Sequence, residues 1–191
     1  MDKAKMMTEL IRSRRSIFPP MYTGDIVDDE LIWEILENAN WAPTHRMTQP
    51  WRFVVIPQTK IPEWCDYAAE WYVRYTPENE FSEKKLEKIK TKPLKASHII
   101  AIIMKRDKEK RVPKWEEKAA VACGVQNMYL SVTAMGLGGY WSTPSYALSV
   151  DDYFGLSSQE RCLGLFYIGV PKPDLDLPAS RDDIRSKVAW L

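Results

Sequence analysis

At 191 residues, 45% of them hydrophobic, the chain can bury one sizeable core and is expected to form a single domain over residues 1–191. Its 27 lysines and arginines against 26 aspartates and glutamates leave a formal charge of +1, too little to attract nucleic acid or an anionic membrane. No apolar stretch approaches the roughly 20 residues that span a bilayer. The three cysteines, Cys65, Cys123 and Cys162, form no CxxC pair and follow no signal peptide, so a reducing cytoplasm is expected, with each read as a buried small hydrophobe.

Met6, Met7, Leu10 and Ile11 recur at three- and four-residue spacing, predicting an amphipathic helix from Lys3 to Ser13 that ends near Arg14. A second helix, capped by Asp28, buries Leu31, Ile32, Ile35, Leu36 and Ala39 and is stopped by Pro43. After a loop over 44–50, Trp51–Ile56 reads as a strand between two prolines. Pro62 suits the first turn of a helix carrying Trp64, Ala68, Ala69 and Tyr72. The aromatics Trp64, Tyr67, Trp71, Tyr72 and Tyr75 read as core packing, with a pocket lid as the alternative. A short helix follows over Glu83–Lys90.

The aliphatic run Ile99–Met104 predicts a central strand covered on both faces. The longest helix spans Lys114–Met135, with Gly136 as its stop, and belongs in a core or a subunit interface. Tyr140–Ser142 and Cys162–Val170 read as further strands. Pro171–Pro178 reads as an extended connector, and Ser180 as the cap of a last short helix. Helices and strands interleave, which predicts a layered α/β or α+β domain.

Three segments could carry chemistry. Arg14-Arg15-Ser16 could clamp a phosphate through charge-assisted hydrogen bonds, or simply place cations at a helix C-terminus. The loop Trp41–Trp51 sits between a helix and a strand and offers donors from Thr44, His45, Arg46 and Gln49. His98 reads as structural. The glycines of Gly136-Leu137-Gly138-Gly139 close a helix and enter a strand, the reverse of a dinucleotide fingerprint, and are expected to let backbone approach something flat. With no P-loop, HExxH or paired Cys/His spacing, no metal site is expected.

In this order the three segments resemble the nitroreductase family, most closely its short-chain bacterial members. The likeness extends to Val112-Pro113-Lys114-Trp115-Glu116, to Gly139-Tyr140-Trp141-Ser142 and to Gly164–Pro171, and is weakest over 61–95. It implies an α+β fold, a three-layer α/β/α sandwich, that binds FMN at the interface of a homodimer formed by the long helices and embraced by the terminal arms. It further implies that Arg14, Arg15 and Ser16 bind the FMN phosphate, ribityl and pyrimidine edge. Trp41 and His45 would belong to the same shell, Trp141, Ser142 and Thr143 would line the isoalloxazine, and Arg181 would lie near the phosphate. Met47 stands where many members carry an asparagine bonded to the flavin, and Phe18 where a basic residue is frequent, so FMN affinity or substrate range is expected to differ.

The activity so implied is ping-pong hydride transfer from NAD(P)H through FMN to a small-molecule acceptor such as a nitro compound or quinone, with no catalytic nucleophile. A specialised flavin dehydrogenase or reductive dehalogenase is the enzymatic alternative. A flavin-binding module whose lysines between Lys84 and Lys95 meet an acidic partner is the non-enzymatic one.

Overall fold

The computed structural model describes residues 2–191. Four strands, β1 (Trp51–Pro57), β2 (His98–Lys105), β3 (Gly138–Ser142) and β4 (Glu160–Gly169), form an antiparallel sheet in the order β1-β2-β4-β3. Seven α-helices surround it: α1 (Lys3–Ser13), α2 (Asp29–Asn40), α3 (Ile61–Tyr75), α4 (Glu83–Thr91), α5 (Lys114–Ala134), α6 (Ser145–Leu148) and α7 (Asp151–Phe154).

Alternation along β2 builds two cores. Ile100, Ile102 and Met104 pack with Phe166 and Ile168 against Ile32 and Ile35 of α2 and Val121, Val125 and Met128 of α5. Ile99, Ala101 and Ile103 face the other way, toward Trp64 and Tyr72 of α3, Ile89 of α4 and Ala147 of α6. The sheet is therefore the middle layer of an α/β/α sandwich, and β2 is central, as its unbroken aliphatic run requires. Trp64 lies flat on Phe154 with centroids 5.6 Å apart and meets Tyr153 edge-on at 5.3 Å. Of the five aromatics, Trp64 and Tyr72 are core packing, Tyr67 and Trp71 are half-buried and Tyr75 is exposed.

The chain-order expectations hold for α1 to α5 and all four strands. Asp28 caps α2 and Ser82 caps α4 through their side chains, and α5 ends in backbone bonds from Gly136 to Thr133 and from Leu137 to Val132. Three details are corrected. The last short helix, a 3-10 turn over Ile184–Lys187, is capped by Asp183 rather than Ser180, because the Asp183 carboxylate accepts from the Arg185 N–H. Cys65 and Cys162 are buried, but Cys123 is exposed, since α5 turns Glu117, Ala120, Val121, Gly124, Val125 and Met128 inward and leaves Ala119, Ala122 and Cys123 on its outer face. Finally, what Gly138 and Gly139 admit at close range is the protein's own Tyr22 and Phe166 rings.

His98 is buried and structural. Its Nε2 donates to Asp29 at 3.0 Å, which leaves Nδ1 to accept from the Ser97 hydroxyl at 2.9 Å, while Ser97 Oγ accepts from the Val27 N–H. The opposite end of β2 is tied to α5 by the buried Arg106–Glu117 pair and by the Asp107 N–H, which donates to Glu117 at 2.8 Å.

At the start of β4, the buried Glu160 carboxylate accepts from the Ser157 N–H and hydroxyl, both at 2.9 Å, and from Arg52 at 2.7 Å. The Ser157 N–H foremost, with Arg52 and the hydroxyl, pulls its pKa from 4.5 to about 2. Its contribution to stability is thus complete above the unfolded value and is lost as pH falls from there through about 2. Glu160→Gln is expected to lower the thermal midpoint by several degrees at pH 7, with the gap closing toward pH 2. Circular-dichroism melts of both proteins across that range measure it.

Candidate functional site

β3 is an edge strand, and its outward backbone groups are taken up in turn. The Gly139 carbonyl accepts from the Ile17 N–H at 3.0 Å, which lays the segment after α1 along this edge. The Trp141 N–H donates to the Tyr129 hydroxyl at 2.8 Å. Thr143, next in that two-residue spacing, lies just beyond the end of the strand at Ser142.

Tyr129, on α5, joins the separate parts of the site. Its hydroxyl also lies 3.4 Å from Ser16 Oγ, the Arg14 guanidinium sits 5.0 Å from its ring centroid, and the ring meets Phe166 edge-on at 4.8 Å. One phenol therefore ties Arg14 and Ser16 to Trp141. No motif marks this residue, and its only signal is a hydroxyl-bearing aromatic within a helix that is otherwise free of aromatics after Trp115.

A bulge in β4 fixes the Trp141 side chain. Between Ile102 and Ile103 the register slips, so that Ile102 faces Gly164 and Ile103 faces Cys162. Gly164 takes φ +127°, and a Cβ there would lie 2.5 Å from the Ser142 carbonyl oxygen, so only glycine fits. The Leu163 carbonyl accepts from the Trp141 indole N–H at 3.1 Å.

Beside Arg14 opens a cleft of about 660 Å³ lined by Arg12, Arg14, Arg15 and Arg181 together with Ser180 and Gln126. Arg14, Arg15 and Arg181 are so brought together from opposite ends of the chain. Arg12 joins them, although its place one turn before the pair is a signal the sequence reading passed over. Among the described residues none of the four guanidiniums has a carboxylate partner. Arg15 is engaged otherwise: Nε donates to the Leu177 carbonyl at 2.7 Å and Nη1 to the carbonyls of Arg12, Ser13 and Arg14. It thereby binds the C-terminal tail to the end of α1. Four unneutralised cations lining one cleft have the charge and the donors to which a compact polyanion is complementary.

Trp41 and His45 lie elsewhere in the same chain. His45 Nδ1 is 2.6 Å from Glu116 at the start of α5, while Gln126 lines the arginine cleft ten residues further on, about 15 Å at the rise of a helix. Trp41 is 79% exposed, with its indole donating to Glu37. The loop that carries His45 is wound by three left-handed residues, Arg46, Met47 and Gln49, and pinned where Thr44 Oγ1 accepts from the Gln49 N–H. Met47 is 70% exposed. Within the chain, then, Arg12, Arg15 and Arg181 share a cleft with Arg14, which Tyr129 links together with Ser16 to Trp141, whereas Trp41 and His45 stand apart.

Residues 11–170 match the model of the Nitroreductase family. The chain belongs to this family. It is 28% identical over 169 residues to Escherichia coli YdjA, covering 86% of this chain and 87% of that one, and 28% identical over 169 residues to Bacillus subtilis YfhC, covering 87% and 84%. Both carry the name "Putative NAD(P)H nitroreductase". Among solved structures, the nitroreductase-like family protein of Bacillus cereus superposes with a TM-score of 0.79 at 24% identity, over all of this chain and 98% of the other. The "putative nitroreductase in complex with fmn" of Desulfovibrio desulfuricans superposes with a TM-score of 0.74 at 25% identity, over 96% and 95%. The family's fold is the sandwich described above.

Because Tyr129 acts on this site through one hydroxyl, Tyr129→Phe keeps the ring beneath Arg14 and removes only the link to Trp141 and Ser16. The expected cost is about 1 kcal/mol in denaturant unfolding. Amide exchange at Trp141, followed by NMR, is expected to quicken while that of Ile100 in the central strand stays unchanged.

Proposed function

We propose that the chain is an NAD(P)H-dependent FMN oxidoreductase that reduces electron-poor acceptors such as nitro compounds or quinones, with residues 1–191 forming one FMN-binding domain. The observation that carries this reading is the unneutralised arginine cleft, joined through Tyr129 to the open edge of β3. The donor set fits the group: guanidiniums answer a phosphate, and a strand edge next to a cleft accepts a flat ring. The FMN of the Desulfovibrio relative and the names of YdjA and YfhC point the same way.

Arg14 and Arg181 hold the phosphate. Arg15 lines the same cleft while keeping the tail in place, and Ser16 serves the ribityl and pyrimidine side. The Thr143 N–H and the Ser142 and Thr143 hydroxyls stand where the ring edge is placed and stabilise negative charge there. FMN, when bound, supplies hydride acceptance from NAD(P)H and its later transfer to the acceptor in a ping-pong sequence. No side chain is required as nucleophile or general base, since acceptor oxygens take protons from water.

The site is completed by a homodimer. Met7 and Ile11 of α1 and Trp115 of α5 are 50–68% exposed, and Ala119, Ala122 and Cys123 continue an apolar strip along α5. Pairing two such faces covers them and brings Trp41 and His45 of one protomer toward the arginine cleft of its partner. Past Pro171 the tail runs largely exposed to Trp190, as an arm that wraps a second copy would. All three thiols are free and no helix among the described residues is long and apolar enough to cross a membrane, which supports a cytoplasmic protein.

An anaerobic absorbance spectrum of the FMN-loaded protein tests the cycle. Bleaching by NADPH or NADH, followed by recovery with a nitroaromatic or quinone, is expected. Bound flavin that neither nucleotide reduces would exclude the reductase, and absence of flavin binding would overturn the cofactor assignment. Arg14→Ala with Arg181→Ala is expected to weaken FMN at least about a hundredfold, at roughly 1.5 kcal/mol per charge-assisted hydrogen bond lost, with the fold retained by circular dichroism.

A further inference from the structure

A second cleft, of about 370 Å³, opens on the opposite face of β3. Its walls are aromatic: Phe18 and Tyr140 pack at 4.4 Å between centroids, and Tyr146 and Tyr167 line the same space. Burial pushes the Tyr146 phenol up to about 12, so it remains a neutral donor through the physiological range. The rim is cationic. Lys85, Lys88 and Lys92 follow one another at three- and four-residue spacing on α4 and the turn after it, and all three border the cleft. Lys85 Nζ rests 5.0 Å from the Tyr72 ring centroid, while Lys88 and Lys92 have no carboxylate partner among the described residues.

These lysines belong to the stretch between Lys84 and Lys95 that the sequence offers as a contact for an acidic partner. Three of its cations border an aromatic cavity. The cavity also adjoins the site above, because Ser142 borders it and Phe18 follows Ser16 by two residues. A planar ring matches the walls, and a negative substituent matches the unpaired lysines.

We propose that this cleft is the acceptor pocket and that Lys88 and Lys92 select aromatic acceptors carrying a carboxylate or comparable anionic group. The inference rests on the flavin reductase reading, since Ser142 is the element shared by the two sites. The ring lies between Phe18, Tyr140 and Tyr146, and the lysines hold the anion without taking part in electron transfer.

The test compares 4-nitrobenzoate with neutral nitrobenzene as acceptors for the FMN-loaded enzyme, in the parent and in a Lys88→Gln, Lys92→Gln double variant. The parent is expected to prefer 4-nitrobenzoate, and the preference to fall as ionic strength rises from about 20 to about 500 mM. In the variant, KM for 4-nitrobenzoate is expected to rise about tenfold, the sum of two exposed charge contacts somewhat above the middle of their range. KM for nitrobenzene, kcat for both acceptors, FMN affinity and the melting midpoint stay unchanged.

An unaltered 4-nitrobenzoate KM, or a change confined to FMN affinity or to the nicotinamide nucleotide, would overturn the assignment. Calorimetric titration of 4-nitrobenzoate into parent and variant reads the cleft without turnover. Lysine-dependent binding in a protein that shows no flavin reduction would therefore retain the anion pocket while the reductase reading fails. Lack of such binding in an active reductase would remove the pocket and leave that reading standing.

Discussion

The architecture depends on the burial of β2 on both faces. Six consecutive residues, Ile99 to Met104, are at most 1% exposed, and apolar side chains on both sides of a strand can be withdrawn from water only by a helical layer above and another below. That demand sets α2 and α5 on one face and α3, α4 and α6 on the other. It also leaves the interior of the sheet without space for a ligand. Both clefts lie at the margin instead, beside the edge strand β3, and their residues are reached from it along α1, α5 and the segment that joins Ser16 to Pro19.

Much of this is legible in the sequence, because local signals and tertiary demands agree. Asp28 caps α2 and Pro62 opens α3, while the aliphatic stretch from Ile99 identifies the central strand. The Arg14-Arg15 pair is legible as a candidate anion site, and its meeting with Arg181 follows from the resemblance. What stays hidden depends on contacts across long separations. Tyr129 acquires its importance only when α5 lies against both Ser16 and Trp141, and the lysines of α4 acquire theirs only when Phe18 and Tyr140 stand opposite. Cys123 defeats the simple rule that cysteine in an apolar run is buried, because a helix can be apolar on a face its own chain does not cover.

That uncovered face connects fold to assembly. α1 has an apolar stripe but no buried residue, α5 carries a second stripe outward, and Trp190 at the end of the tail is 94% exposed. The chain completes its core around one strand and leaves these surfaces open. In the proposed homodimer the same surfaces supply both the association energy and the missing side of the cofactor shell, so the availability of the site follows protein concentration.

The bulge at Gly164 has a consequence for how the chain tolerates change. Cys162 and Leu165 face the same core although three positions separate them, whereas Leu165 and Tyr167 share it at the usual two. The extra residue thus inverts the inside–outside parity of β4 part-way along its length. Flattening the bulge with every residue retained would draw Gly164 into the ladder and turn either Cys162 and Glu160 or the whole Leu165–Ile168 half to the wrong side of the sheet, whereas removing the extra residue would leave each side chain facing its own core. The glycine is therefore held by its backbone conformation, and the irregularity that aims the Leu163 carbonyl at Trp141 also keeps the two halves of β4 in phase with their cores.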